Sequence, residues 1–104
     1  MTAITIFDNI KSVAVSQSIS IKGTPYTFQG IVSGIGSVSA SLTIEVSNDL
    51  VNWMTLGYPT ILLSGNNYSV DGFASNAAWL YCRAFLNEIS GEEAKVSLIL
   101  GVIS

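Results

Sequence analysis

Side chains that move protons, hold metals or attack carbonyls are scarce in this chain, and their scarcity is its first chemical statement. There is no histidine among the 104 residues. A Ser/His/Asp or Cys/His nucleophile pair, an imidazole acid or base and a histidine-ligated metal are therefore all excluded. A glycosidase-type carboxylate pair would have to come from Asp8, Glu45, Asp49, Asp71, Glu88, Glu92 and Glu93. Most of these lie in turn-like stretches or on polar faces, where solvated carboxylates are expected. Asn48, Asp49 and Asn52 offer three close oxygens, two of them neutral amides, whereas calcium takes about six to eight. Gly34-Ile-Gly36 is followed by neither a third glycine nor a Lys-Ser pair, so it fails as a phosphate cradle and reads as a turn. Cys82 has no second cysteine to bond and no histidine to activate it; a small buried apolar role is expected. Asn67-Tyr68-Ser69 has the glycosylation pattern, but no secretory leader is recognised ahead of it. The expectation is a protein that is not an enzyme and uses no metal and no cofactor.

Composition points towards contact rather than chemistry. Charged residues are 11% of the chain and hydrophobic ones 49%, against roughly 25% charged in an average soluble domain. So few charges cannot coat a surface, which predicts that much of it is covered by copies of the chain or by a partner. The formal charge of −3 supplies no basic patch for phosphates or anionic lipid, so neither nucleic acid nor membrane is an expected partner. No apolar run approaches the ~18 residues of a spanning helix. At this length one domain with one core is expected.

The elements that must position these residues are strands. Val38, Ala40, Leu42, Ile44 and Val46 alternate with Ser39, Ser41, Thr43, Glu45 and Ser47, which predicts a half-buried strand over Val38–Ser47. Ala94–Val102 repeats the pattern, with Val96, Leu98, Leu100 and Val102 inward. Ala78–Leu86 alternates with two apolar faces: Leu80, Cys82, Ala84 and Leu86 on one, Trp79, Tyr81, Arg83 and Phe85 on the other. Its second face should be covered. Shorter strands are expected at Ala3–Phe7, Ser12–Val15, Ser18–Lys22, Tyr26–Val32, Thr60–Ser64 and Tyr68–Val70, and a short helical turn is allowed only around Asp71–Ala78. Turns are expected at Lys22–Pro25, Ser33–Gly36, Ser47–Asp49, Ser64–Asn67, Asp71-Gly72 and Ser90–Glu92. Many short strands so punctuated predict an all-β, antiparallel sandwich or barrel. Residues 1–15 form a possible amino-terminal arm ahead of a β domain at 16–104, because Asp8-Asn9 breaks the alternation after Ile4, Ile6 and Phe7. Such an arm would pair with a neighbour's sheet edge. Ile4, Ile6 and Phe7 on the arm, with Trp79, Tyr81 and Phe85 on the two-faced strand, are the candidate partner-binding residues.

The stretch Glu45–Trp53, EVSNDLVNW, reads as a strand, a turn closed by Ser and Asx side chains, and Trp53 opening the return strand with its ring packed over the turn. Leu42-Thr-Ile-Glu-Val-Ser-Asn-Asp49 with Trp53, then Ala78-Trp-Leu-Tyr-Cys-Arg83, then Ile89-Ser-Gly91 before a last alternating strand, resembles small β-sandwich proteins of tailed-bacteriophage virions. The likeness covers about residues 38 to 102 and departs at Leu50, where Gly is usual. It implies a jelly-roll-like sandwich acting as a capsid decoration, or cement, protein: commonly a homotrimer that binds the major capsid protein on the virion surface and is assembled in the host cytoplasm. A tail, baseplate or head-fibre component is the neighbouring alternative. A carbohydrate-binding module stacking sugars on Trp53, Trp79 or Tyr58 is the more distant one.

Overall fold

A 22-residue strand run straight would reach roughly 70 Å, yet the longest dimension of the molecule is 40 Å. The computed structural model describes residues 2–21 and 25–102, and it contains two such strands. The elements are β1 (Thr2–Ile10), β2 (Ala14–Val15), β3 (Ile19–Ser20), β4 (Tyr26–Ser47), β5 (Met54–Thr55), β6 (Ile61–Ser75) and β7 (Tyr81–Val102). All pairing is antiparallel and belongs to one sheet, with β1, β7, β4 and β5 in that order, β2 and β3 also on β7, and β6 also on β4. Among the described residues there is no helix.

The long strands fit because they turn a shared corner. The β4–β7 ladder loses register between Ser33 and Ser39, and the β4–β6 ladder between Ser33 and Ser37. Left-handed backbone clusters there, at Gly36 (φ 73°), Asn67 (φ 69°), Gly91 (φ 126°) and Glu93 (φ 54°). Asn67 spans the bend by accepting the Gly36 N–H at 2.7 Å. On either side of the corner the apolar faces meet: a β-carbon at Gly30, in the first half of β4, would lie 3.0 Å from Cδ1 of Leu42 in the second half. The sheet thus folds over its own apolar side, burying that face as strongly alternating strands require.

The core follows the alternation. Val38, Ala40, Leu42, Ile44 and Val46 are buried, as are Val96, Leu98, Leu100 and Val102, together with Tyr26, Phe28, Val32, Ile61 and Leu63. Cys82, Ala84 and Leu86 are also buried, whereas Leu80, expected beside them, is exposed because β7 begins only at Tyr81. The Cys82 thiol is pushed up to about 12 by burial, so it stays protonated and packs as a small apolar group. Tyr26 and Phe28 meet edge to face with centroids 5.7 Å apart.

Four expected turns are not chain reversals. Ser33–Gly36, Ser64–Asn67, Asp71-Gly72 and Ser90–Glu92 all lie inside continuous strands, and the helical turn allowed near Asp71–Ala78 is replaced by β6 as far as Ser75. Glycine and asparagine supply left-handed or side-chain-free backbone for a bulge as readily as for a hairpin, and local sequence does not separate the two. Of the expected turn Lys22–Pro25, residues 22–24 lie outside the described residues, as do Met1 of the arm and residues 103–104 of the β domain. The segment read as an arm lies along β7 of its own chain, from Thr2 opposite Val102 to Ile10 opposite Val96. Bulges interrupt this pairing after Thr5 and after Phe7, where Asp8-Asn9 breaks the pattern.

The corner tolerates no added volume at Gly34. A β-carbon there would fall 2.7 Å from the Glu92 carbonyl oxygen and 2.8 Å from Cγ1 of Val38. Gly34→Ala is expected to destabilise the protein by about 1–3 kcal/mol, read as a lower urea midpoint. Gly36→Ala meets no atom but must hold φ at 73°, so it should lose less.

Candidate functional site

On the outer face of β4 and β7, Glu45 sits directly opposite Arg83. The Arg83 guanidinium gives Oε1 of Glu45 two contacts, from Nε and from Nη2, each at 2.7 Å. The ion pair fixes the plane of the guanidinium, whose carbon lies 4.1 Å from the Trp53 ring centroid and 5.4 Å from that of Phe85. A weakly hydrated, planar cation is well suited to such stacking. One step along, Asn87 donates to the buried Thr43 hydroxyl at 2.5 Å. A register shift between Ser41 and Leu42 leaves Asn87 without a partner residue on β4.

Trp53 is brought to this patch by the turn before it. The Ser47 hydroxyl donates to Asp49 at 2.9 Å and accepts the N–H groups of Asp49 and Leu50 at 3.1 and 3.0 Å. Asp49 in turn accepts Val51 N–H, Asn52 N–H and the Asn52 side-chain amide at 2.9, 2.8 and 2.9 Å. These donors, the Asn52 N–H first, hold the Asp49 carboxyl well below the usual carboxylate range. Asn48 ties the turn to the start of β7 by accepting the Leu80 N–H at 3.1 Å. The side-chain closure expected of Ser47-Asn-Asp49 is present. The ring of Trp53 is half-buried, with the Arg83 guanidinium stacked against it. Trp53 also precedes the short return strand β5 rather than opening it.

The tip of this turn is apolar. Leu50 holds a left-handed φ of 64°, and Val51 beside it is 77% exposed. Met54 and Leu80 are about half exposed, and Tyr58 and Leu62 are exposed as well. Left-handed backbone at a branched residue costs on the order of 1 kcal/mol, and the Ser47 and Asp49 bonds on either side hold it there.

The candidate contact residues lie beside or on two different stretches of β7. Ile4 and Ile6 are half-buried on β1, and Phe7 is part of the core. All three lie beside the far end of β7, at Leu98–Leu100. Trp79, Tyr81 and Phe85 are half-buried at its near end, Trp79 packing on the core and Phe85 joining the Arg83 patch. The arginine stack and the exposed tip were not among the candidates. Their signals were the opposed charges of Glu45 and Arg83, and Leu50 in a place that ordinarily takes Gly. Among the described residues, no three Cys, Asp or Glu side chains come together to hold a metal ion.

Comparison with known proteins returns no matching family model, no matching curated protein and no matching solved structure.

Two outcomes are expected here. Trp53→Ala should cost about 1–2 kcal/mol, as a half-exposed cation–π and packing contact does, rather than the ~3–5 of a buried aromatic. Arg83→Ala should be non-additive with it in a double-mutant cycle. For Asp49 the folded carboxyl is depressed below its ordinary 3.8. Its contribution is complete above that value and is lost as pH falls through the lower native one. Asp49→Asn should therefore lower stability at neutral pH and flatten the acid limb of a pH–stability profile measured by urea denaturation.

Proposed function

We propose that the chain is a structural virion protein, a decoration or cement protein that binds the assembled major capsid protein shell of a tailed bacteriophage. On this reading the folded-over sheet is a jelly-roll-like β-sandwich that works as a homo-oligomer on the particle surface. The observation that carries the proposal is the set of exposed large apolar side chains, Leu50, Val51, Met54, Tyr58, Leu62 and Leu80 among them, on a chain with 11% charged residues. Exposed apolar surface of this kind marks contact with other protein. The likeness of residues 38 to 102 to phage virion sandwiches supplies the class of partner. Binding only the assembled shell would stabilise that state by mass action.

A second reading has one observation in its favour. Tyr58 is 80% exposed and is free to stack on a sugar, whereas one face of Trp53 is occupied by Arg83 and Trp79 packs on the core. A glycan array that binds wild type but not Tyr58→Ala would favour a carbohydrate-binding role.

Particles made from the encoding genome, with and without the gene, provide the test. Cryo-electron microscopy is expected to place the protein at repeated positions on the capsid surface, and particles lacking it should rupture at lower temperature. Adding back purified wild-type protein should restore their resistance, and Val51→Asp protein should do so less well. Location in the tail, or absence from the particle, overturns the reading.

A further inference from the structure

Asp71 is the one Asp or Asn of the chain followed by glycine, and the two residues are already in contact. The Gly72 N–H donates to Oδ1 of Asp71 at 2.8 Å, which leaves the carboxyl carbon one bond beyond that oxygen. We propose that Asp71-Gly72 is a site of spontaneous covalent modification, aspartate isomerisation through a cyclic imide.

The step balances with water alone. The Gly72 amide nitrogen attacks Cγ of the protonated Asp71 carboxyl, a nitrogen–carbon bond forms, the Cγ–hydroxyl bond breaks, and the hydroxyl leaves as water with the amide proton. Water then adds back to the five-membered imide. Addition at Cγ restores aspartate; addition at the former peptide carbonyl leaves the chain running through the β-carbon as isoaspartate. No mass is gained or lost, and one methylene enters the backbone.

Position favours the reaction. Both residues are exposed on the stretch of β6 that pairs only with Tyr26–Ser33 of β4. Local opening there has to break a single ladder, so it lies towards the low end of opening free energies. Every other Asp and Asn is followed by a residue with a side chain, which hinders attack. At Asp49 the carboxylate is also saturated by turn donors. Nor can a side chain at position 72 block the reaction cheaply, because a β-carbon there would lie 2.9 Å from the Phe28 carbonyl oxygen. The close approach of β4 demands the glycine that makes Asp71 reactive. The added methylene displaces Gly72–Ser75 from register with Tyr26–Gln29, so isomerisation marks old molecules by loosening one sheet edge.

Native protein, the synthetic peptide Tyr68–Ser75, and the Asp71→Glu and Asp71→Asn proteins are aged together at neutral pH and physiological temperature. Isoaspartate is located by electron-transfer fragmentation and confirmed with an isoaspartyl methyltransferase. The expected result is isoaspartate accumulating at residue 71 well ahead of every other Asp and Asn, more slowly than in the peptide. Asp71→Glu should show none, since its ring would be six-membered, and Asp71→Asn should convert faster, with measurable deamidation. The proposal is overturned if native Asp71 stays intact while the peptide converts fully, or if other sites isomerise as fast. Neither outcome depends on the virion reading.

Discussion

The corner in the long strands is the constraint on which everything else rests. Two strands of 22 residues each carry a long apolar face, and among the described residues there is no helix to cover it. The apolar side can leave water only if the sheet closes over it, so β4, β6 and β7 must bend at the same level. Side-chain-free Gly34, left-handed Gly36 and Gly91, and the Asn67 bond to Gly36 make that bend possible. Once the halves face each other, the alternation that was a sequence pattern becomes an inside and an outside.

The outside is then differentiated by a few polar groups. Glu45 and Arg83 are held opposite each other by the register of β4 and β7, and that register decides where a guanidinium lies flat enough to meet Trp53 and Phe85. A surface ion pair contributes little alone. Its larger effect here is orientation, since it commits one side chain to two rings. The Ser47 and Asp49 bonds act likewise on the next turn, fixing a left-handed Leu50 and an exposed Val51 in place of a mobile loop. These are rigid, apolar and outward-facing features, suited to recognition by shape.

The all-β class and the core positions were legible because period-two alternation is a direct imprint of burial: Val96 to Val102 follow it throughout, and Val38 to Val46 follow it except at the buried Thr43. The turn at Ser47-Asn-Asp49 was legible because its bonds are local. The corner was not, since Gly34-Ile-Gly36 or Ser90-Gly-Glu92 looks the same whether the chain reverses or only bends, and the difference lies in which distant strand pairs beyond it. The Arg83 stack was missed for the same reason. Glu45 and Arg83 are 38 residues apart in sequence, and only the register puts them side by side. The pairing of β1 with β7 spans nearly the whole chain, and the break at Asp8-Asn9 that suggested a free arm corresponds to a bulge.

The place of β7 in the sheet also has a consequence in time. β1, β2, β3 and β4 all take β7 as a partner, yet β7 is the last of these strands to be synthesised. Until β7 has emerged from the ribosome, β4 can zip only with β5 and β6, and the strands that pair with β7 wait without their neighbour. Contacts so distant in sequence close slowly, and unpaired strands meanwhile remain open to other nascent copies. Most of the sheet therefore closes only once β7 has emerged, and the speed of that closure decides how much of each synthesis burst reaches the native sheet.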